Sequence, residues 1–330
     1  MTSFRKYMAY RVQSTLLRTL IIAVMALLLT ASLCDARYIV YETGMYGATS
    51  HVWYSFGVLP FLLVVLSLLI PALELSGLKN RRNLDTLLTL PVSRGKMALA
   101  HMLNGLWQLL VIYSLCFGYV VIMGLGIQEH VRLSYMLPYY LFSVLAGIAL
   151  YAFCLFFFMQ ANTVGDGIAF ELMSIMLLNA ILDPLSKIYN ALPIPTTLGF
   201  SYMPLVVIHE KYSYSVIHNA TRLTSAAETI TCIVWAVLGL LALLGYFLTF
   251  IKKKTETIGG ISDSFFGYRV MLPIYGLSYG YIGFLGLGGQ SLALISTVIG
   301  YVIYRRGFRF KPSDYVVMVL TAACAIAFSF

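Results

Sequence analysis

Apolar residues along this chain gather in long uninterrupted runs, not in the alternating pattern of half-buried strands. A helix that crosses the hydrocarbon core of a bilayer needs about 20 apolar residues. The runs of suitable length lie at 17–34, 54–75, 98–124, 136–160, 167–183, 228–251, 270–286, 289–304 and 314–330. Because these runs do not alternate, they predict membrane-spanning helices and exclude a membrane barrel. The last three are short, and two or three of them are candidates for re-entrant segments.

Composition supports the same class of protein. Of the 330 residues, 60% are hydrophobic and only 11% are charged, whereas a soluble domain carries about 25% charged residues. The mean hydropathy is +0.86. The five cysteines contain no CxxC pair and the five histidines contain no HExxH spacing, so we predict no metal site. The predicted fold class is an all-α polytopic transmembrane bundle.

The basic residues are distributed unevenly between the predicted loops. Placing the N-terminus in the cytoplasm leaves only five of the 22 basic residues outside, namely Arg37, Arg132, Lys187, Lys211 and Arg222. Cytoplasmic loops of membrane proteins are enriched in lysine and arginine. The pattern therefore predicts a cytoplasmic N-terminus, and it explains the net charge of +9 without a nucleic-acid partner.

Of the segments outside the predicted spans, residues 35–53 are polar and aromatic and are interpreted as an external loop, and three others predict more specific structure. Residues 1–16 carry apolar side chains at helical spacing with basic residues between them, which predicts an amphipathic helix lying on membrane lipid. Residues 184–227 form the longest external segment, and its four prolines exclude one long helix there. The third segment, after the second span, is short and cytoplasmic.

That third segment reads NRRNLDTLLTLPVSR at residues 80–94. Its pattern predicts a short amphipathic helix at 83–91, with Asn83 as the N-cap, Asp85 in the first turn and Pro91 at the end. The apolar stripe consists of Leu84, Leu87 and Leu88. A helix of this length is marginal alone in water. Either lipid headgroups or a protein partner must cover its leucines.

Among the acidic residues within or at the ends of predicted spans, Glu74 and Glu171 are the candidates for a functional role. Glu74 ends the second span and is expected to pair with a nearby basic group. Glu171 lies about one turn inside the fifth span. A charged group at that depth is costly and requires a partner or a water-filled cavity, so Glu171 is a candidate for a gating role.

The run NRRNLDTLLTLPVSRGKMALAHMLNG resembles the signature that follows the second span in permeases of the ABC-2 type transporter family. Leu87 to Arg94 match that signature with threonine for serine, while Asp85 and Asn83 replace the usual glutamate and threonine. The segment KKKTETIGG at 252–260 resembles a second element of one bacterial branch. The resemblance implies a six-span core like that of type V exporters over 17–251. It also implies a basic loop and two or three additional spans over 252–330.

The resemblance also implies a role for the short helix. In that family a cytoplasmic coupling helix docks onto a separate ATPase subunit. The residues expected to form this docking surface are Asn83, Leu84, Asp85, Leu87, Leu88, Leu90, Pro91 and Arg94. Rim contacts are expected from Arg81, Arg82 and Lys96. The chain contains no GxxxxGK[ST] motif, so ATP and Mg²⁺ are expected on the partner, and a second permease, identical or related, is expected beside this one.

Together with the predicted topology, the resemblance implies the permease subunit of an ATP-driven exporter in a bacterial plasma membrane. Its cargo would be amphipathic: a peptide or antimicrobial, a lipid-linked molecule or a drug. The subunit itself would catalyse no reaction. The alternatives are a secondary transporter driven by an ion gradient, with Glu171 as its deep carboxylate, and a membrane-embedded enzyme or an accessory membrane subunit.

Overall fold

The computed structural model describes residues 2–43, 47–127, 131–175, 204–218, 226–253, 255–260, 262, 264–273 and 287–327. Over these ranges the chain is mostly helical. The parts of the predicted spans at 176–183 and 274–286, and much of the external segment 184–227, lie outside the described residues.

Eleven helices follow one another within the described ranges. They are α1 (Thr2–Leu33), α2 (Val58–Leu75), α3 (Arg81–Leu88), α4 (Arg94–Leu125), α5 (Met136–Gln160), α6 (164–175), α7 (Pro204–His218), α8 (Ala226–Lys252), α9 (268–273), α10 (Leu287–Arg305) and α11 (Pro312–Ala327). Short 3-10 turns precede α3 and α5 and follow α8.

Five of these helices are long and apolar enough to cross a membrane. Their apolar stretches are Phe4–Leu33, Val58–Lys79, Arg94–Leu125, Leu133–Gln160 and Cys232–Lys252. They coincide with the first, second, third, fourth and sixth predicted spans. The chain is therefore a multi-pass membrane protein, and the helical bundle is confirmed. Many large apolar side chains on α1 and α8 are exposed, as expected for helices that face lipid.

The N-terminal segment differs from its prediction. Residues 1–16 were expected to form a separate interfacial helix, but α1 runs without a break from Thr2 to Leu33. Neither glycine nor proline occurs in that range, so nothing in the backbone interrupts the helix. At about 1.5 Å per residue, α1 is long enough to cross a bilayer and extend beyond it.

The predicted all-α class requires one correction, because the segment after α1 is a β-hairpin. Strand β1 (Asp35–Thr43) pairs in antiparallel fashion with β2 (Gly47–Ser55), and Asp35 lies opposite Ser55. Both strands are rich in tyrosine, threonine and β-branched residues, which favour extended backbone. At the base of the hairpin, the Tyr54 hydroxyl donates to the Val120 carbonyl of α4 at 2.7 Å.

Helix α5 lies at the centre of the core and packs against α2, α4, α7 and α8. The close approach of α4 and α5 depends on Gly105, because a Cβ atom there would lie 2.2 Å from the Tyr151 hydroxyl. Tyr151 is buried, and its hydroxyl donates to the Met102 carbonyl at 3.1 Å. The core thus joins the helices on either side of the 80–94 segment to the rest of the bundle.

Candidate functional site

The short helix α3 lies at one end of the bundle, which we call the basic end and define by residues 76–96 and the described residues among 252–264. The helix begins at Arg81, and its N-cap is Asn80, whose side-chain oxygen accepts from the Arg82 backbone N–H at 3.0 Å. The predicted helix at 83–91 with Asn83 as N-cap is therefore wrong in its bounds. Asn80 has the extended backbone that an N-cap needs, whereas Asn83 lies within the helix.

The apolar side of α3 faces the protein's own bundle. Leu84 is only 5% exposed and belongs to the hydrophobic core, and Leu87 is partly buried against that core. The need to cover the leucines of so short a helix is thus met largely within the chain. Leu84 anchors α3 to the hydrophobic core and is therefore not available for docking. Leu88 is not among the described side chains.

The opposite side of α3 is exposed. Arg82, Asn83, Asp85 and Thr86 are all exposed, and Leu90 is 40% exposed just beyond the end of the helix. Pro91 and Arg94 are exposed as well, and so is Lys96. Of the predicted docking and rim residues, the polar ones are exposed and accessible to a partner, whereas Leu84 is buried.

The second motif of the sequence packs directly on the first. Arg81 Nε donates to the Ile258 carbonyl at 2.9 Å, and Arg94 Nη1 donates to the Ile251 carbonyl at 2.9 Å. The Gly259 backbone N–H donates to the Asn162 carbonyl at 3.1 Å, with Gly259 at a φ of +81° that favours glycine. The segments after α2, α5 and α8 therefore meet at one point beside α3.

Two lysines, which belong to the basic residues of the predicted cytoplasmic loops, cap the C-terminal end of α5. Lys79 Nζ donates to the carbonyls of Phe158 at 2.9 Å and Ala161 at 2.6 Å. Lys253 Nζ donates to the Ala161 carbonyl at 2.8 Å, and burial lowers the pKa of Lys253 to about 8. Positive charge at a helix C-terminus stabilises the unsatisfied carbonyls there. Because the acceptors are backbone carbonyls at the end of α5, these contacts are visible only in the folded structure.

Glu74 is the centre of a buried polar cluster. Its carboxylate is paired with Arg11 Nη2 at 2.6 Å and with Arg18, both on α1. It also accepts from the side-chain amides of Asn104 at 2.9 Å and Gln108 at 2.7 Å on α4. The expected basic partners of Glu74 exist, but they are 63 and 56 residues away and lie inside the bundle. The cluster joins α1, α2 and α4.

Glu171 lies in α6 and is 1% exposed. Its Oε1 atom has no hydrogen-bond partner among the described residues. Lys79 is the cation whose charge acts on it, although the Lys79 ammonium group itself bonds to the carbonyls of α5. Glu171 is thus a buried carboxyl group at the basic end with unused hydrogen-bonding capacity.

Within the described ranges, no three histidine, cysteine or acidic side chains are positioned to hold a metal ion. No family model, curated protein or solved structure matches the chain. The function must therefore be inferred from the contacts of α3 and from the resemblance of its sequence.

Proposed function

We propose that this chain is the membrane-spanning subunit of an ATP-driven exporter of the ABC-2 type, with its N-terminus and basic end in the cytoplasm of a bacterium. A separate ATPase would bind ATP and Mg²⁺ and dock on α3. A second permease, identical or related, would complete the complex. The cargo is an amphipathic molecule such as a peptide, a lipid-linked compound or a drug.

The observation that best supports this proposal is the way in which α3 is attached to the bundle. One side of the helix is fixed by the buried Leu84 and by the Arg81 hydrogen bond to Ile258, and the other side is exposed. A helix that served only to rest on lipid headgroups would direct its leucines toward lipid. Here the exposed side carries Arg82 and Asp85, which suits a polar protein surface.

The contacts around α3 also provide a route for motion. Residues Ser76–Lys79 connect α3 directly to α2, and α4 begins at Arg94, six residues after α3 ends. Arg94 bonds to the end of α8, while Lys79 and Lys253 bond to the end of α5. A displacement of α3 by an ATPase would therefore act on four long helices through packed, hydrogen-bonded contacts.

The test is co-purification from native membranes. The exposed side of α3 is altered with Asp85→Lys and Leu90→Asp, both outside the core. The control is Phe308→Asp, which alters an 81% exposed residue in the loop between α10 and α11. We expect a P-loop ATPase, identified by mass spectrometry, to co-purify with the wild type and the control and to be lost with the α3 variants. Equal recovery from all four proteins would refute docking on α3.

A second candidate function, an ion-coupled transporter, is favoured by Glu171. A buried carboxyl group whose Oε1 has no hydrogen-bond partner among the described residues can bind a proton. The purified chain in proteoliposomes, without any ATPase, would then transport protons in response to a pH gradient, and Glu171→Gln would abolish the flux. The absence of wild-type proton flux over an empty-vesicle control would dismiss this candidate.

A further inference from the structure

Two adjoining cavities lie between α5 and α8 at the basic end. The first, which we call the polar cavity, has a volume of about 550 Å³. Lys252, Lys253 and Glu256 supply its charges, and Gln160 and Ser264 form part of its polar wall. The Ser264 hydroxyl donates to Gln160 Oε1 at 2.6 Å, so this wall is held in place by internal hydrogen bonds.

The second cavity, which we call the aromatic groove, has a volume of about 530 Å³ and runs toward the middle of α5 and α8. Four phenylalanines line it: Phe153, Phe156, Phe157 and Phe266. The rings of Phe156 and Phe266 are 5.4 Å apart. Gly245 on α8 leaves room for Phe156, because a Cβ atom there would lie 2.6 Å from its ring. The groove is therefore almost wholly apolar.

The two cavities are continuous. Gln160, Leu248 and Thr249 line both of them. Leu241, which also lines the groove, and Leu248 are each 58% exposed on α8, so the groove is open toward the membrane. Since α8 supplies the membrane-crossing stretch Cys232–Lys252, the groove lies at the depth of acyl chains and the polar cavity lies at the depth of headgroups.

The charges at the headgroup end are two lysines against one glutamate. Lys253 is fixed by its bonds to Ala161 and Asn162, while Lys252 is exposed. Their combined charge exceeds that of Glu256 by one positive unit, which favours a group with one negative charge. A membrane-depth apolar groove joined to such a cavity matches a molecule with an acyl chain and a phosphate.

We propose that this composite site binds an anionic phospholipid from the leaflet at the basic end. Its phosphate lies beside Lys252 in the polar cavity, and one acyl chain occupies the aromatic groove. The site does not depend on ATPase docking and goes beyond the exporter function. A bound lipid would contact both α5 and the segment 252–260. Because Arg81 of α3 bonds to Ile258 in that segment, the lipid would also stabilise the position of α3.

Trp235 provides a local probe, because its ring lies 5.4 Å from Phe153. The chain has three tryptophans, so the double variant Trp53→Phe, Trp107→Phe retains Trp235 as its single tryptophan. The full-length protein is reconstituted in phosphatidylcholine vesicles, to which phosphatidylglycerol or phosphatidylcholine with brominated acyl chains is added. Brominated chains quench nearby indoles. We expect half-maximal quenching of Trp235 at a several-fold lower mole fraction of the brominated phosphatidylglycerol.

Lys252→Gln should remove this preference, whereas Lys96→Gln, the same charge change at an exposed position outside the site, should retain it. Ala242→Leu, which narrows the groove, should raise the phosphatidylglycerol fraction needed for quenching. Equal quenching of the wild type by both lipids would overturn the proposal. So would a preference that persists in Lys252→Gln, because it would reflect general attraction of anionic lipid to the basic end.

Discussion

Arg11 Nη2 lies 2.6 Å from Glu74 Oε2, and this contact joins α1 to α2 inside the bundle. The glutamate side chain is fully buried, while that of Arg11 is 19% exposed. Arg18 provides a second positive charge to the same carboxylate. The amides of Asn104 and Gln108 add hydrogen bonds from α4. A carboxylate within a membrane helix is thus supported from two neighbouring helices.

Replacing Glu74 by Ala should destabilise the protein strongly, because Arg11 and Arg18 would lose their common counter-ion. Removing one member of a buried ion pair costs about 3 to 5 kcal/mol. The partial exposure of both arginines favours the lower value, about 3 kcal/mol. Thermal unfolding in detergent measures this effect, with Asp85→Ala as the control at an exposed carboxylate. Equal unfolding midpoints for Glu74→Ala and the wild type would show that the cluster contributes no stability.

Gly105→Ala should lower the free energy of unfolding, because the added methyl group meets the Tyr151 hydroxyl. Overpacking of this kind costs about 1 to 3 kcal/mol. The matched control is Gly118→Ala on the same helix, where no atom lies within 4 Å of the added carbon, and it should be neutral or slightly stabilising. Tyr151→Phe should partly restore the stability of Gly105→Ala. A Gly118→Ala loss as large as that of Gly105→Ala would contradict this account.

Asn80→Ala should loosen α3, because the Arg82 backbone N–H loses its side-chain acceptor. Loss of an N-cap costs about 1 kcal/mol, which corresponds to about five-fold more opening. Trypsin cleavage after Arg82, followed by mass spectrometry, measures that opening as an initial rate. Asn83→Ala, three residues further along, serves as the control and should leave the rate unchanged. Faster cleavage in the Asn83 variant alone would restore the original N-cap assignment.

Acid should destabilise the protein through His209 on α7. This ring packs against Phe56 at 5.1 Å, and burial lowers the pKa of His209 from 6.5 to about 4. Between these values the unfolded chain binds more protons than the native one, so stability rises with pH. Above pH 6.5 the burial of His209 does not lower the free energy of unfolding. As the pH falls from 6.5 to about 4, the free energy of unfolding decreases progressively.

Unfolding midpoints of the wild type and His209→Gln, measured between pH 4 and 7, isolate this contribution. The difference in midpoint between the wild type and the variant should decrease as the pH falls, because only the wild type carries the His209 penalty. Other titrating groups are common to both proteins and cancel. Parallel pH profiles would mean that His209 is not desolvated.

The five long membrane helices could be predicted because their signal is local: a run of apolar residues of sufficient length. The hairpin at Asp35–Ser55 also carried a local signal, in its tyrosines and β-branched residues, although the segment was interpreted as a loop. The N-cap could not be chosen from the sequence, since Asn80 and Asn83 both have suitable side chains. Only the preceding 3-10 turn distinguishes them.

The polar contacts of the Glu74 cluster and of the basic end could not be predicted. Arg11 and Arg18 have the same sequence signature whether they face headgroups or a buried carboxylate, and their partner lies more than 50 residues away. Lys79 and Lys253 likewise act on carbonyls of α5, which have no side-chain signature at all. For the same reason, the sequence could propose the leucines of α3 as a docking surface but could not show that Leu84 is covered.

The Glu74 cluster also has a consequence for biosynthesis. Chains emerge from the ribosome N-terminus first, so Arg11 and Arg18 are delivered before Glu74, and Asn104 and Gln108 follow. When α2 enters the bilayer, its carboxylate meets two guanidinium groups that are already present on α1. The order of residues along the chain thereby spares α2 from entering hydrocarbon with an uncompensated charge, and a chain made without α1 would meet that barrier during insertion itself.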